Sequence, residues 1–231
     1  MSEFEHIAVW SGTRNMYLDI LPSIKSMRLH ARLDRAYILV EDDEFPEKLP
    51  DWITCINVAD QTWIRKGSAN WDNQWTWMVL MRAVLPYIFP QHERVLSMDA
   101  DAICLEDMDE LFDIDMRGCY MAAAREPRRF QPTSPYYNVG VSVMDLAKIR
   151  EDGKHEIIRT AITKNNYSCV EQDCLNIVFR GAIRDLDPAY NSSEWTAEIR
   201  HPKILHYAGI KDWKHLPAVE KYRAIRWEDI P

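Results

Sequence analysis

The chain has 231 residues, 47% hydrophobic and 28% charged, which suffices for one substantial core and leaves no low-complexity or disordered-looking stretch. A net charge of −8 argues against binding dominated by a nucleic-acid phosphate backbone. No apolar run approaches the ~20 residues that span a bilayer, and the acidic start MSEFEHIAVW points to a cytoplasmic protein without a signal peptide.

In chain order, HIAVW predicts a strand, SGTRN a turn, and YLDILPSIKSMRLHA a helix with apolar positions at helical spacing. RAYILVE and ITCINV read as the next strands, separated by the turn-rich DDEFPEKLPDW. WDNQWTWMVLMRAVLPYIF reads as one long amphipathic helix carrying Pro86, and RVLSMD as a further strand. This alternation predicts an α/β fold: a Rossmann-like, mostly parallel sheet with helices on both faces and ligands at the strand C-terminal ends. The second half is more mixed. GCYMAAARE and YYNVGVSVMDL are predicted strands around a proline-rich loop, LAKIREDGKHEIIRTAITKN a helix interrupted at Gly153, and EQDCLNIVFRG a short helix closed by Gly181. PKILHYAG is a late strand and LPAVEKYRAI a last helix. Five cysteines (Cys55, Cys104, Cys119, Cys169, Cys174) have no CxxC spacing and read as reduced, mostly buried thiols.

The segment RVLSMDADAICLEDMDELFD holds the chemistry. Asp107 suits a capping-box start to a helix, with Glu110 three residues on. Asp99 and Asp101 do not fit that role: VLSM precedes them and AICL follows, so both carboxylates lie near buried surface, where negative charge is costly unless a cation shares the site. Residues two apart at a strand end face the same side and can converge on one hard divalent ion. Turn or capping duty is the alternative reading of the pair.

VLSMDADAICLEDMDELFD resembles the donor-site segment of the retaining glycosyltransferases of family 8, the group that includes glycogenin and bacterial lipopolysaccharide galactosyl- and glucosyltransferases. YYNVGVSVMDL resembles the family's Asn-x-Gly strand, EQDCLN its Asp-Gln-Asp-x-Leu-Asn helix start, and HYAGIKDW its His-x-x-Gly-x-Lys-Pro-Trp signature. The resemblance implies a single GT-A type domain over 1–231, with 1–115 the nucleotide-sugar half and 116–231 the acceptor-side half carrying a late metal and diphosphate motif. It implies a metal-dependent retaining transfer of a hexose, glucose or galactose, from a UDP-linked sugar. Asp99, Asp101 and His206 correspond to the ligands of Mn2+, with Mg2+ the other candidate; Ala100 lies between the aspartates. Asn138, Gly140 and Gly209 fall in the donor motifs. Lys211 corresponds to the residue that holds the diphosphate, and Arg82 to an arginine that reaches the donor. Glu171, Gln172 and Asp173 correspond to the helix start beside the sugar. The partners implied are a nucleotide-sugar donor and a glycan, lipid-linked glycan or protein acceptor.

The sequence departs from the family in three places. Arg14 stands three positions before Tyr17, where an acidic residue usually reads the uracil or ribose, so the base is expected on the backbone around Ala8 to Trp10, with Trp10 stacked on it. Glu171 replaces an aspartate, and Asp212 a proline. The end KYRAIRWEDIP has no basic-aromatic tail, which favours a soluble acceptor or recruitment by another protein. Arg125, Arg128, Arg129 and the tyrosines before Asn138 either shape the acceptor site or form a plain surface loop. Trp71 and Trp75, spaced i,i+4, are expected to pack in the core, with Trp77 off their face. The alternative function is a non-catalytic nucleotide-sugar or glycan-binding module. A haloacid-dehalogenase-like phosphatase, whose strand also ends Asp-x-Asp, fits poorly, because it needs Thr or Val two residues further on near the chain start, where this chain has Ile103 after a long α/β stretch.

Overall fold

The computed structural model describes residues 4–126, 135–193 and 199–231. Strands β1 (Ile7–Ser11), β2 (Arg35–Val40), β3 (Ile53–Asn57), β4 (Arg94–Met98), β6 (Met121–Arg125), β7 (Tyr137–Asp145) and β8 (Ile183–Leu186) form one sheet in the order β3-β2-β1-β4-β7-β6-β8. The pairs from β3 through β4 are parallel, β7 runs antiparallel to both β4 and β6, and β8 is parallel to β6. Strand β5 (Ala102–Cys104) pairs antiparallel with β9 (Ile204–His206) in a separate two-stranded ribbon.

Strand β1 is apolar from Ile7 to Trp10 because both of its faces are covered there. Ala8 and Trp10 face one core with helix α1 (Tyr17–His30); Ile7 and Val9 face the other, with α4 (Leu146–Glu151), α5 (Lys154–Lys164) and α6 (Val170–Val178). Two shorter helices, α2 (Leu85–Ile88) and α3 (Asp109–Phe112), and a last one, α7 (Pro217–Arg223), complete the set. Gly153 breaks α4 from α5 with φ 65°, as its position predicted. The five cysteines are free thiols, three of them buried. Among the described residues, no helix is long and apolar enough to cross a membrane.

Three sequence expectations are corrected. The long helix over 71–89 is instead a 3-10 helix, Trp77–Val84, running into α2, because Thr76 caps it by accepting the Met78 N–H and Pro86 falls in the first turn of α2. Trp71 therefore stacks on Trp77, at a 4.9 Å centroid distance, while Trp75 is half exposed. Asp107 accepts the Asp109 N–H from one residue ahead of the N-cap, which is Met108, and Glu110 turns outward to Tyr190 and Lys203, so no capping box forms. Strands β5 and β8 were not anticipated.

Candidate metal and donor site

The chain reverses directly after β4. The Asp99 carbonyl accepts the Ala102 N–H in a tight turn, and the Asp99 N–H donates to Gly140 O on β7 at 2.7 Å. Asp99 and Asp101 thus converge through a turn anchored to the next strand, and not through strand pleating alone. In the two-stranded ribbon Ala102 lies opposite His206, which brings the imidazole to the same point. His206 Nε2 lies 3.3 Å from Asp101 Oδ1 and 3.5 Å from Asp99 Oδ2. One ligand atom from each of the three residues falls within 4.8 Å of the others.

Burial opposes charge on His206, yet Asp101 and Asp99 together raise its pKa to about 10; two carboxylates demand a cation at this spot. His206 Nδ1 lies 2.7 Å from Asn191 Oδ1. That contact assigns the Nδ1 proton to Asn191 and turns Nε2 toward the carboxylates, the orientation a metal-ligating histidine needs. Room at the site depends on Gly140. A Cβ there would stand 2.3 Å from His206 Cε1 and 2.6 Å from Asp99 Oδ2. An oxygen, oxygen, nitrogen donor set beside a cradle that a methyl group would fill fits a small divalent ion.

Arg82 is 7% exposed and sits behind the aspartates. It pairs with Asp99, donates Nε to Ser97 Oγ at 3.0 Å, and meets Glu171 Oε1 at 2.9 Å through Nη1. Burial pushes Asp99 up, but Arg82 and His206 outweigh it and hold the carboxyl well below the usual range. At Glu171 burial wins: together with repulsion from Asp99 it overcomes Arg82 and lifts the carboxyl to about 7.

Gln172 opens the other wall. Its Oε1 accepts the Val139 N–H, and its Nε2 donates to Glu126 Oε2 and Tyr136 Oη, each of the three contacts at 3.1 Å. Tyr136 donates to Asp173, whose other oxygen accepts the Cys169 N–H. Asn138 donates to Glu126 and accepts from Gly140 N–H and Asn191. A chain of hydrogen bonds therefore runs from His206 through Asn191, Asn138 and Glu126 to Gln172.

The family model of glycosyl transferase family 8 matches residues 22–216. The chain belongs to glycosyltransferase family 8. Among curated members, glycosyltransferase GlyE of Streptococcus pneumoniae serotype 4 is 24% identical over 99% of this chain and 61% of its own length. The lipopolysaccharide 1,2-glucosyltransferase of Escherichia coli K12 is 27% identical over 60% of this chain and 50% of its own. This family 8 chain spans 35–61% of the length of the curated relatives it matches. Among solved structures, GlyE of S. pneumoniae TIGR4 superposes with a TM-score of 0.74 at 21% identity, covering 99% of this chain and 62% of that one. The galactosyltransferase LgtC, solved with donor and acceptor sugar analogues, superposes with a TM-score of 0.72 at 16% identity, covering 96% and 98%. At such identities the likeness shows the fold, GT-A. Family membership sets the phosphatase reading aside.

Placed in this family 8 site, the predicted residues divide. Asp99, Asp101, His206, Arg82, Asn138, Gly140, Glu171, Gln172 and Asp173 form one connected cluster, with Ala100 in the turn between the aspartates. Gly209 (φ 79°) and the exposed Lys211 lie in the turn that follows β9. Ala8 and Trp10 do not join them. Ala8 is buried in mid-sheet between β2 and β4, so its backbone is committed to the ladder, and Trp10 is 1% exposed with its indole N–H on Ser23 Oγ. The expected stacking of Trp10 on a base is corrected accordingly. Arg14 pairs with Asp42 at the end of β2, Nε to Oδ2 at 2.8 Å. Arg125 pairs with Asp185, whereas Arg128 and Arg129 fall outside the described residues. Tyr136, one of the tyrosines read from sequence as acceptor-site or surface-loop residues, lies on Gln172 and Asp173, whereas Glu126 and Asn191 escaped sequence reasoning because their roles exist only once β6, β7 and β9 are brought together.

Proposed function

We propose that the chain transfers a hexose, glucose or galactose, from a UDP-linked sugar to an acceptor with retention of configuration, in a metal-dependent reaction. Residues 1–115 serve the nucleotide sugar, and 116–231 form the acceptor side while returning the late metal and diphosphate motif, His206 to Lys211, to the donor. The observation that carries this reading is the convergence of Asp99, Asp101 and His206 beside Gly140 at the C-terminal end of β4, the ligand-binding edge of such a sheet. Asp99, Asp101 and His206 would hold Mn2+, or Mg2+, which when bound neutralises charge on the leaving diphosphate.

The remaining work falls to the chain. Lys211, on the turn after β9, adds an ammonium to the leaving group, where charge grows most as the sugar bond breaks. Gln172 carries a polar but weakly nucleophilic amide. It suits stabilising an oxocarbenium-like centre better than forming a lasting covalent adduct. Glu126, Tyr136 and the Val139 N–H fix that amide, and Asp173 fixes Tyr136. Glu171 acts from behind by orienting Arg82. The acceptor oxygen bonds to the anomeric carbon from the leaving-group face as the bond to the diphosphate breaks, and the departing diphosphate takes the acceptor's proton, so an α-linked donor gives an α-linked product.

The test is release of UDP from UDP-glucose and UDP-galactose with Mn2+, for the wild type and for Asp99→Asn and Asp101→Asn. Loss of turnover in both variants with the fold intact is expected. Full activity of either, or of the wild type in excess chelator, rejects the reading; binding of donor without turnover converts it to a binding module. Once an acceptor is found, the anomeric proton coupling of the product reports retention directly.

A further inference from the structure

Among the described residues two non-glycine positions have positive φ, Arg117 (49°) and Val170 (45°). Arg117 is exposed, in a surface turn ahead of Gly118. Val170 is different: it is β-branched, 2% exposed and the first residue of α6, immediately before Glu171, Gln172 and Asp173. The left-handed region brings Cβ against the following carbonyl, and a branched Cβ suffers most there. Such a conformation persists only where the surroundings over-determine it.

Here they do. The Val170 side chain packs in the core shared by α5, α6 and β7. On either side the backbone is pinned, with the Cys169 N–H on Asp173 Oδ2 at 2.8 Å and the Gln172 N–H on Cys169 O at 2.9 Å. From this one turn, consecutive side chains leave in different directions: Glu171 toward Arg82, and Gln172 toward the Val139 N–H and Glu126. A right-handed residue at 170 would rotate that fan of side chains as a unit.

We infer that Val170 is a positioning residue, whose left-handed backbone, locked by the packing of its own side chain, aims Glu171 and Gln172 at the donor site. This rests on the function proposed above. Glycine reaches and leaves the left-handed region freely, whereas alanine keeps the Cβ and its strain. The two truncations therefore separate strain from packing.

In thermal melts Val170→Gly should melt about 2–4 °C above Val170→Ala, the reverse of the ordinary helical order of these residues. Yet Val170→Gly should show the lower kcat for donor hydrolysis, by about tenfold or more, because the aim of Gln172 is no longer fixed. The Mn2+-induced rise in melting temperature should be equal in both, and Val170→Ile should keep the wild-type kcat. A glycine variant that melts below the alanine one, or two truncations with wild-type kcat, overturns the inference alone. A wild-type chain that turns over no donor overturns the proposed function and this inference with it.

Discussion

Gly140 contributes no side chain to the site, and that is its contribution: any Cβ would fall 2.3 Å from His206 Cε1. Gly140→Ala should therefore lower Mn2+-dependent donor turnover by about 10–100-fold, the usual effect of disturbing the surroundings of a metal ligand. The shift in melting temperature on adding Mn2+ should shrink in parallel; an unchanged shift would show that the cluster has room to spare. Arg82 poses the opposite case, a residue whose value lies in the charges it answers. Arg82→Leu takes the guanidinium away from Glu171 and leaves His206 as the cation beside Asp99. Breaking a buried pair this way typically costs about 3–5 kcal/mol, and the partial exposure of Asp99 puts the expected loss at the lower end. Urea denaturation measures it, and a loss under about 1 kcal/mol would mean that Glu171 escapes by taking up a proton. Spacing singled out the two aspartates, because carboxylates in an apolar run need a reason, and only the resemblance to family 8 added His206 to them. The surroundings of Arg82 could not be read that way. An arginine among Trp77–Val84 looks the same in sequence whether it faces water or the acceptors Ser97, Asp99 and Glu171.

Elements were legible where one physical signal dominated. The strand run IAVW is apolar on both faces, so strand and burial follow together, and the same fact misleads about Trp10: an aromatic at a strand end looks available for stacking until α1 covers it with Ser23. The stretch 71–89 failed because helical periodicity of apolar residues is shared by 3-10 and α geometry over so few turns, and the deciding contacts are local, Thr76 at the start and Pro86 near the end. PKILHYAG reads as a strand and contains β9, but β5 and the pairing of the two were invisible for a different reason. Each strand has three residues, and their pairing joins positions some hundred apart in the chain. Gly153 offers a clean measurement at this scale. It has φ 65° and nothing within 4 Å of an added Cβ, so Gly153→Ala changes only backbone preference. A loss of about 1 kcal/mol is expected, visible as a lower urea midpoint with an unchanged slope; no loss would mean that α4 and α5 can merge across the break.

At the scale of the whole molecule, the far sides of the fold are tied down by two half-buried histidines remote from the site. His30, at the end of α1, meets Tyr222 Oη on α7 at 2.9 Å, and His92 meets Tyr37 Oη on β2 at 3.1 Å. Burial lowers both pKa values. Around His30, Lys221 acts in the same direction while Glu106 and Asp107 oppose; around His92, Arg150 and Arg35 add to the lowering and Glu5 opposes. The sign follows from linkage. Above the unfolded value of about 6.5 each histidine is neutral in both states and contributes no slope. As pH falls below it the unfolded chain takes up protons that the folded chain refuses, so stability declines until the folded pKa is passed. His206 lies outside this window, since its folded pKa of about 10 gives a contribution fully present below pH 6.5 and lost only as pH rises toward 10. Glu171 does overlap, with stability lost as pH rises from its unfolded range through about 7, opposite in sign to the histidines. The measurement must therefore be a difference. Urea unfolding of the wild type and of a His30→Gln, His92→Gln double variant, from pH 7.5 to 5, cancels Glu171, which is common to both. The wild type should lose stability relative to the variant as pH drops below 6.5. Parallel curves would mean that neither histidine is held neutral by the fold.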